Sequence, residues 1–256
     1  MAEKKVQGNL KRIFRKKRAV ILAYDHGMEH GPESDFNDRD VNPLYIIDIA
    51  KKGGFNAIAV GKGIADKYNR EIRASKVPLI VKLSGKTKLY KGEAFSEKTG
   101  TVEEAVKLGA VGVGYTIYIG SKYEGKMAEE FSKIEEKAHE KGLVVMLWVY
   151  PRGKSIKNEL SREMISYAAR TGLELDADIV KIKSNGKIRD MRWAVESAGR
   201  TKVVFSGGKK EDEKGFLKDV GTAMKAGAAG MAIGRNVWQN KDPINITKKV
   251  KKIMRI

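Results

Sequence analysis

Two lysines stand two residues apart in the aliphatic run IVKIK, at Lys181 and Lys183, and project to the same side if the run is a strand. A lysine turned into an apolar interior loses hydration, which disfavours its ammonium and lowers its pKa until a free amine exists near neutral pH. Such an amine can attack a ketone and form an imine, an electron sink for breaking a neighbouring carbon–carbon bond. The ordinary role for a lysine at a strand tip is to snorkel or to pair with an acid. One of the two is expected to do that, and periodicity does not say which.

Four other segments carry reactive or anion-binding residues. Asp25, followed by His26, ends the run AVILAYD (19–25) on the face shared by Ile21 and Ala23. Trp148 and Tyr150 share a face of LVVMLWVY (143–150), with Pro151 and Arg152 after it. A phenol there can deliver or remove a proton, while Trp148 also reads as ordinary aromatic core. Ser206 ends KVVFS with Gly207 and Gly208 after it, and Gly234 ends GMAIG with Arg235 and Asn236 after it. Glycines at such positions expose backbone N–H groups, and a helix start adds positive potential, so the two loops are expected to cradle a phosphate. Arg152 and Lys82 are candidates for a second, distal phosphate.

Three motifs carry less. HGMEH (26–30) has the order of a zinc-peptidase HxxEH site, which needs both histidines on one helical face. Gly27 at its start and Gly31-Pro32 at its end argue against a helix, so no metal is expected. SGKTK (84–88) ends like a Walker A loop but has Ile80 where the first glycine belongs, and NIT (245–247) is a bare sequon. The chain has no cysteine, which removes disulfides, thiolate zinc sites and a cysteine nucleophile together.

Positioning these residues requires strands that end beside one another. Eight β-rich runs occur in order, at 19–25, 57–61, 79–84, 111–118, 143–150, 179–183, 202–206 and 230–234. Stretches with apolar residues at three- and four-residue intervals lie between them, among them PLYIIDIAKKGG, MAEEFSKIEEKAHEKG and RDMRWAVESAG. Strict alternation implies parallel strands buried on both faces, and closure into an α/β (β/α)8 TIM barrel fits better than an open sheet, whose glycine fingerprint after the first strand is absent. No linker or composition shift divides the chain, so a single domain over 1–256 is expected. Leu10, Ile13 and Phe14 suit a short N-terminal helix closing the barrel bottom. The long connections at 31–42 and 85–101 follow strand ends and so belong on the catalytic face.

A chain of 256 residues with 41% apolar content can bury such a core. No run has the apolar length of a membrane span, and the N-terminus lacks a signal-peptide core, so a soluble cytoplasmic protein with no membrane partner is expected. The formal charge of +19 would attract polyanions of any kind. It is spread over the whole chain without a nucleic-acid-binding motif, so solvated helix faces account for most of it and a nucleic-acid-binding barrel is the weaker reading.

Taken in order, AYDHGMEHGP, LSGKTKLY, VGYTIYIGS, WVYPRG, IVKIK, FSGG and AIGRNVWQ cover nearly the whole chain. They resemble the archaeal-type class I fructose-1,6-bisphosphate aldolases of the DhnA type, within the DeoC-like aldolases. The resemblance implies Lys181 as the Schiff-base lysine and Tyr150 as proton donor and acceptor. It places Asp25, Trp148 and His26 around the substrate and assigns phosphate binding to Ser206, Gly207, Gly208, Gly234 and Arg235. It further implies no cofactor, a phosphorylated sugar as substrate, and a homo-oligomer, a decamer being the size suggested. Ser184, Asn185, Gly186 and Lys187 replace the Tyr-Thr-Gly-Asp run that commonly follows IVKIK in the family. A sister group, the 2-amino-3,7-dideoxy-D-threo-hept-6-ulosonate synthases, shares the DHG, YPRG and GRN elements and resembles the chain less.

Overall fold

Every apolar run becomes a strand, within two residues of its expected ends. In the computed structural model, which describes residues 2–208 and 210–256, the strands are β1 (Ala19–Tyr24), β2 (Ala57–Gly61), β3 (Leu79–Lys82), β4 (Gly112–Ile119), β5 (Val144–Pro151), β6 (Ile179–Ile182), β7 (Lys202–Ser206) and β8 (Gly230–Ile233). Each pairs in parallel with its sequence neighbours, and β8 pairs with β1, so the sheet closes into a barrel. β4 and β5 are buried along their whole length. Burial on both faces explains why these strands read as apolar runs without alternation.

The helices between strands are set by local signals. Thr101 and Glu104 form a reciprocal capping box that starts the helix Val102–Lys107. Asn42 accepts a hydrogen bond from the Leu44 N–H ahead of Pro43, opening Pro43–Lys52. Gly142, at φ 77°, ends the long helix Glu124–Lys141 and lets the chain turn directly into β5.

The helix Ala2–Ile13 buries Val6, Leu10 and Ile13. Asn9 donates to the Gly142 carbonyl at the foot of β5, and the Lys202 ammonium at the foot of β7 lies 5.3 Å from the Phe14 ring centroid. The N-terminal segment therefore covers the barrel bottom, as its amphipathic pattern suggested. Both long connections lie on the opposite face. The first holds a helical turn, Pro32–Asp35, and the second an antiparallel ribbon of Ser84–Gly85 with Glu97–Lys98.

One expectation fails. HGMEH does form a helical turn, Gly27–His30, with the His30 N–H bonded to the His26 carbonyl. Gly27 tolerates the helical backbone, and Gly31 at φ 79° stops the helix after one turn instead of preventing it.

Candidate active site

A cavity of about 780 Å³ opens at the C-terminal ends of the strands, and every site residue expected from the sequence lines it. Its floor is set by register. Lys82 on β3 pairs with Gly114 on β4, and Trp148 on β5 pairs with Lys181 on β6. An added Cβ at Gly114 would lie 1.9 Å from the Trp148 ring. Glycine there is therefore what admits the indole to the barrel interior. Over that indole stand two amine nitrogens, Lys181 Nζ at 5.3 Å from the ring centroid and Lys82 Nζ at 5.8 Å.

The two lysines have the same chemistry and opposite surroundings. Lys82 is 2% exposed and bonds to Glu29 at 2.9 Å and Asp25 at 3.4 Å. Burial works against its charge, but the two carboxylates more than offset this and raise its pKa, so it stays an ammonium. Lys181 is also buried, and its pKa is lowered by desolvation first; Asp25 opposes this, and the Lys82 charge adds to it. Asp25 itself is held below the usual carboxylate range. Burial would raise it, but Lys181, Lys82 and His26 outweigh that. The site thus holds one lysine whose charge is favoured, two acids whose ionised forms are favoured and one lysine whose charge is disfavoured.

Lys183 takes the other lysine role. β6 ends at Ile182, and Lys183, past the strand end at the cavity wall, pairs with Glu159, which also lies 3.7 Å from Arg152. Tyr150 stacks on Tyr118 at 6.4 Å and lies under the Arg152 guanidinium at 4.8 Å. Burial raises the Tyr150 pKa, and Asp25 adds to the effect, so the resting group is a neutral phenol. Tyr118 donates to Glu29 across 3.3 Å.

The two glycine loops meet, though not by the backbone groups expected. The Gly207 N–H is spent on the Ala232 carbonyl, so that amide is not offered to a ligand. Asn236 ties the loops together, its amide donating to the Gly207 carbonyl and its oxygen accepting from the Glu211 N–H. Gly234 is packed so closely that an added Cβ would meet the Trp238 ring at 2.8 Å and the Ala23 carbonyl oxygen at 3.1 Å. Arg235 reaches across, donating to Asp35 at 2.7 Å and to the Gly208 carbonyl at 3.4 Å. What faces the cavity is a guanidinium anchored on a buried carboxylate, beside Ser206 and an open Gly208.

Asp35 and Glu29 are the residues that sequence reasoning missed. Asp35 lies in an aperiodic connection, and Glu29 was visible only inside the HGMEH pattern. His26 stacks on Trp238 at 5.3 Å with Asp35 2.7 Å from its Nε2. Burial opposes its charged form, but Asp25 and Asp35 prevail and raise its pKa, while Asp35 is pushed down to about 2 against the pull of burial by His26 and Arg235. The loop 184–187 is tied to its surroundings, Asn185 donating to Asp190 at 2.9 Å and to the Leu160 carbonyl at 3.2 Å.

A model of the DeoC/LacD family of aldolases matches residues 19–240. The class 1 fructose-bisphosphate aldolase of Thermoproteus tenax is 48% identical over 241 residues, covering 93% of this chain and 90% of its own. Among solved structures, a Schiff-base-forming fructose-1,6-bisphosphate aldolase studied through its reaction intermediates superposes with a TM-score of 0.91. It is 45% identical, over 97% of this chain and 99% of that one. An archaeal fructose-1,6-bisphosphate aldolase, with its catalytic lysine covalently bound to the carbinolamine intermediate of the substrate, superposes with a TM-score of 0.90 at 43% identity, over 97% of this chain and 98% of that one.

Proposed function

The chain belongs to the DeoC/LacD family of aldolases, and from that premise we propose that it is a class I fructose-bisphosphate aldolase acting through Lys181. The observation that carries the assignment is the pair of amines over Trp148: one is bonded to two carboxylates that favour its charge, and the other is buried without a carboxylate partner at salt-bridge distance and has its pKa lowered by burial. Neutral Lys181 attacks the C2 ketone of fructose 1,6-bisphosphate to give a carbinolamine. Tyr150, a phenol at rest, gives its proton to the departing hydroxyl, water leaves, and the iminium remains. The resulting phenolate, under the Arg152 guanidinium, takes the C4 hydroxyl proton as the C3–C4 bond breaks. Glyceraldehyde 3-phosphate leaves, and the enamine is protonated and hydrolysed to dihydroxyacetone phosphate. Burial and then the Lys82 charge favour the neutral nucleophile, while Asp25 opposes them and offsets the Lys82 charge. Arg235, Ser206 and Gly208 would hold one phosphate, and Arg152 with Lys183 the other, fixing the ketone beside the amine.

The heptulosonate synthase reading is not favoured, because the relatives similar over most of the chain are fructose-bisphosphate aldolases. On the aldolase reading the protein works on cytoplasmic sugar phosphates as a homo-oligomer, which sedimentation tests directly. Among the described residues no helix is long and apolar enough to cross a membrane.

A coupled assay with fructose 1,6-bisphosphate, together with borohydride trapping and mass mapping of the adduct, tests the assignment. The expected result is cleavage, a single adduct on Lys181, and loss of both in Lys181→Met. An adduct elsewhere, undiminished cleavage by Lys181→Met, or activity abolished by a chelator would overturn it.

A further inference from the structure

The HGMEH turn has a second partner that its sequence does not announce. His26 and His30 come within 4.8 Å (ring centroids) across one helical turn, and Asp35, from the next turn of the same loop, faces both. Asp35 Oδ2 lies 2.7 Å from His26 Nε2 and 3.0 Å from His30 Nδ1. The three ligand atoms all lie within 4.8 Å of one another. His26 Nε2 is buried and, although Asp35 Oδ2 lies 2.7 Å away, has no hydrogen-bond partner. Glu29, the remaining acid of the motif, points away to Lys82 and Tyr118 and is not available as a hydrolytic base.

We propose that His26, His30 and Asp35 form a binding site for a divalent transition ion of the zinc class, with its fourth position open to the cavity. Two imidazoles and one carboxylate suit zinc, cobalt and nickel and do not suit magnesium or calcium. Ligands held at about 2.1 Å in a tetrahedron stand about 3.4 Å apart, so the two His–Asp pairs, at 2.7 and 3.0 Å, need to open by about 0.7 and 0.4 Å. Asp35 Oδ1 accepts from Arg235 at 2.7 Å, the kind of outer hydrogen bond that orients a ligating carboxylate while leaving Oδ2 to the metal. The ion supplies nothing to the Schiff-base chemistry. It would sit on the carboxylate that anchors Arg235, at the cavity mouth, so the site is one for metal control or inhibition, independent of which sugar phosphate is cleaved.

The test uses the full-length protein stripped with chelator and titrated with Co²⁺, read by its visible absorption and by calorimetry. One site per chain is expected, with paramagnetic broadening of the imidazole resonances of His26 and His30. Only three histidines exist, which makes the assignment direct. Losing an outer-sphere partner typically weakens a metal site about 10- to 100-fold, so His30→Ala and Asp35→Asn, each removing a ligand, are expected to weaken Co²⁺ at least tenfold. His139→Ala, in the other histidine-containing cluster with Glu135 and Asp176, should leave it unchanged. Thermal unfolding of each variant separates ligand loss from misfolding. Absence of a Co²⁺ band in the wild type overturns the proposal, as does binding that survives His30→Ala and disappears in His139→Ala.

Discussion

Replacing Lys82 by methionine tests the electrostatic core of the mechanism. Both amines lie over one indole, 5.3 and 5.8 Å from its centroid, so they stand no more than about 11 Å apart. At an effective dielectric constant of about 20, a unit charge at that limit is worth about 1.5 kcal/mol, or about one pKa unit on Lys181. Removing the ammonium also leaves Asp25 and Glu29 without their partner, and their negative charge then favours protonated Lys181, in the same direction. The acid limb of kcat/KM for fructose 1,6-bisphosphate should therefore move up by at least about one pH unit. A rate lost near neutral pH should be recovered at higher pH. Breaking a buried ion pair also costs stability, about 3–5 kcal/mol, so thermal unfolding must run alongside, and only the displaced limb reports on the nucleophile. If the limb stays in place or moves down while KM rises, Lys82 is a phosphate contact and the account of Lys181 is wrong.

Tyr150→Phe removes the proton shuttle without disturbing the aromatic stack, and kcat should fall about 10²- to 10⁴-fold in steady-state assays with little change in unfolding temperature. Gly234→Ala forces a methyl against Trp238 and the Ala23 carbonyl, where neither side has room. A destabilisation of about 1–3 kcal/mol is expected in denaturant titration. His139 has its pKa raised, first by its hydrogen bond to Asp178 against some desolvation and then by the charges of Asp178 and Glu135. A group whose folded pKa is raised stabilises the fold below its ordinary value of about 6.5 and loses that stabilisation as pH climbs through the raised value. Wild-type unfolding midpoints should thus fall across that window, and His139→Gln should flatten the dependence.

The architecture was legible because a strand buried on both faces must be apolar along its length, and eight such runs alternating with helical periods leave little choice but a parallel barrel. The strand ends then pointed to residues that line one cavity, since the C-terminal ends of barrel strands meet at one rim. The site was legible in its residue types but not in its pairings. Loops have no periodicity, so nothing in 31–42 marked Asp35 as the anchor of Arg235 some 200 residues away along the chain. Gly207 illustrates the same limit: its type suggested an exposed amide, and only the neighbouring strand shows that Ala232 already takes it.

By itself the sequence determined the fold, the pair of lysines that offers an amine nucleophile and the positions of the two glycine loops, because these follow from hydrophobic period and side-chain chemistry. Tertiary structure decided which lysine is buried with its pKa lowered. Lys181 and Lys183 are equivalent by period two, but β6 stops between them, so one is desolvated beside a fixed ammonium and the other reaches Glu159 in the loop. A pKa is a property of surroundings, and the surroundings of Lys181 come from β1, β3 and β5, which only the closed barrel brings together.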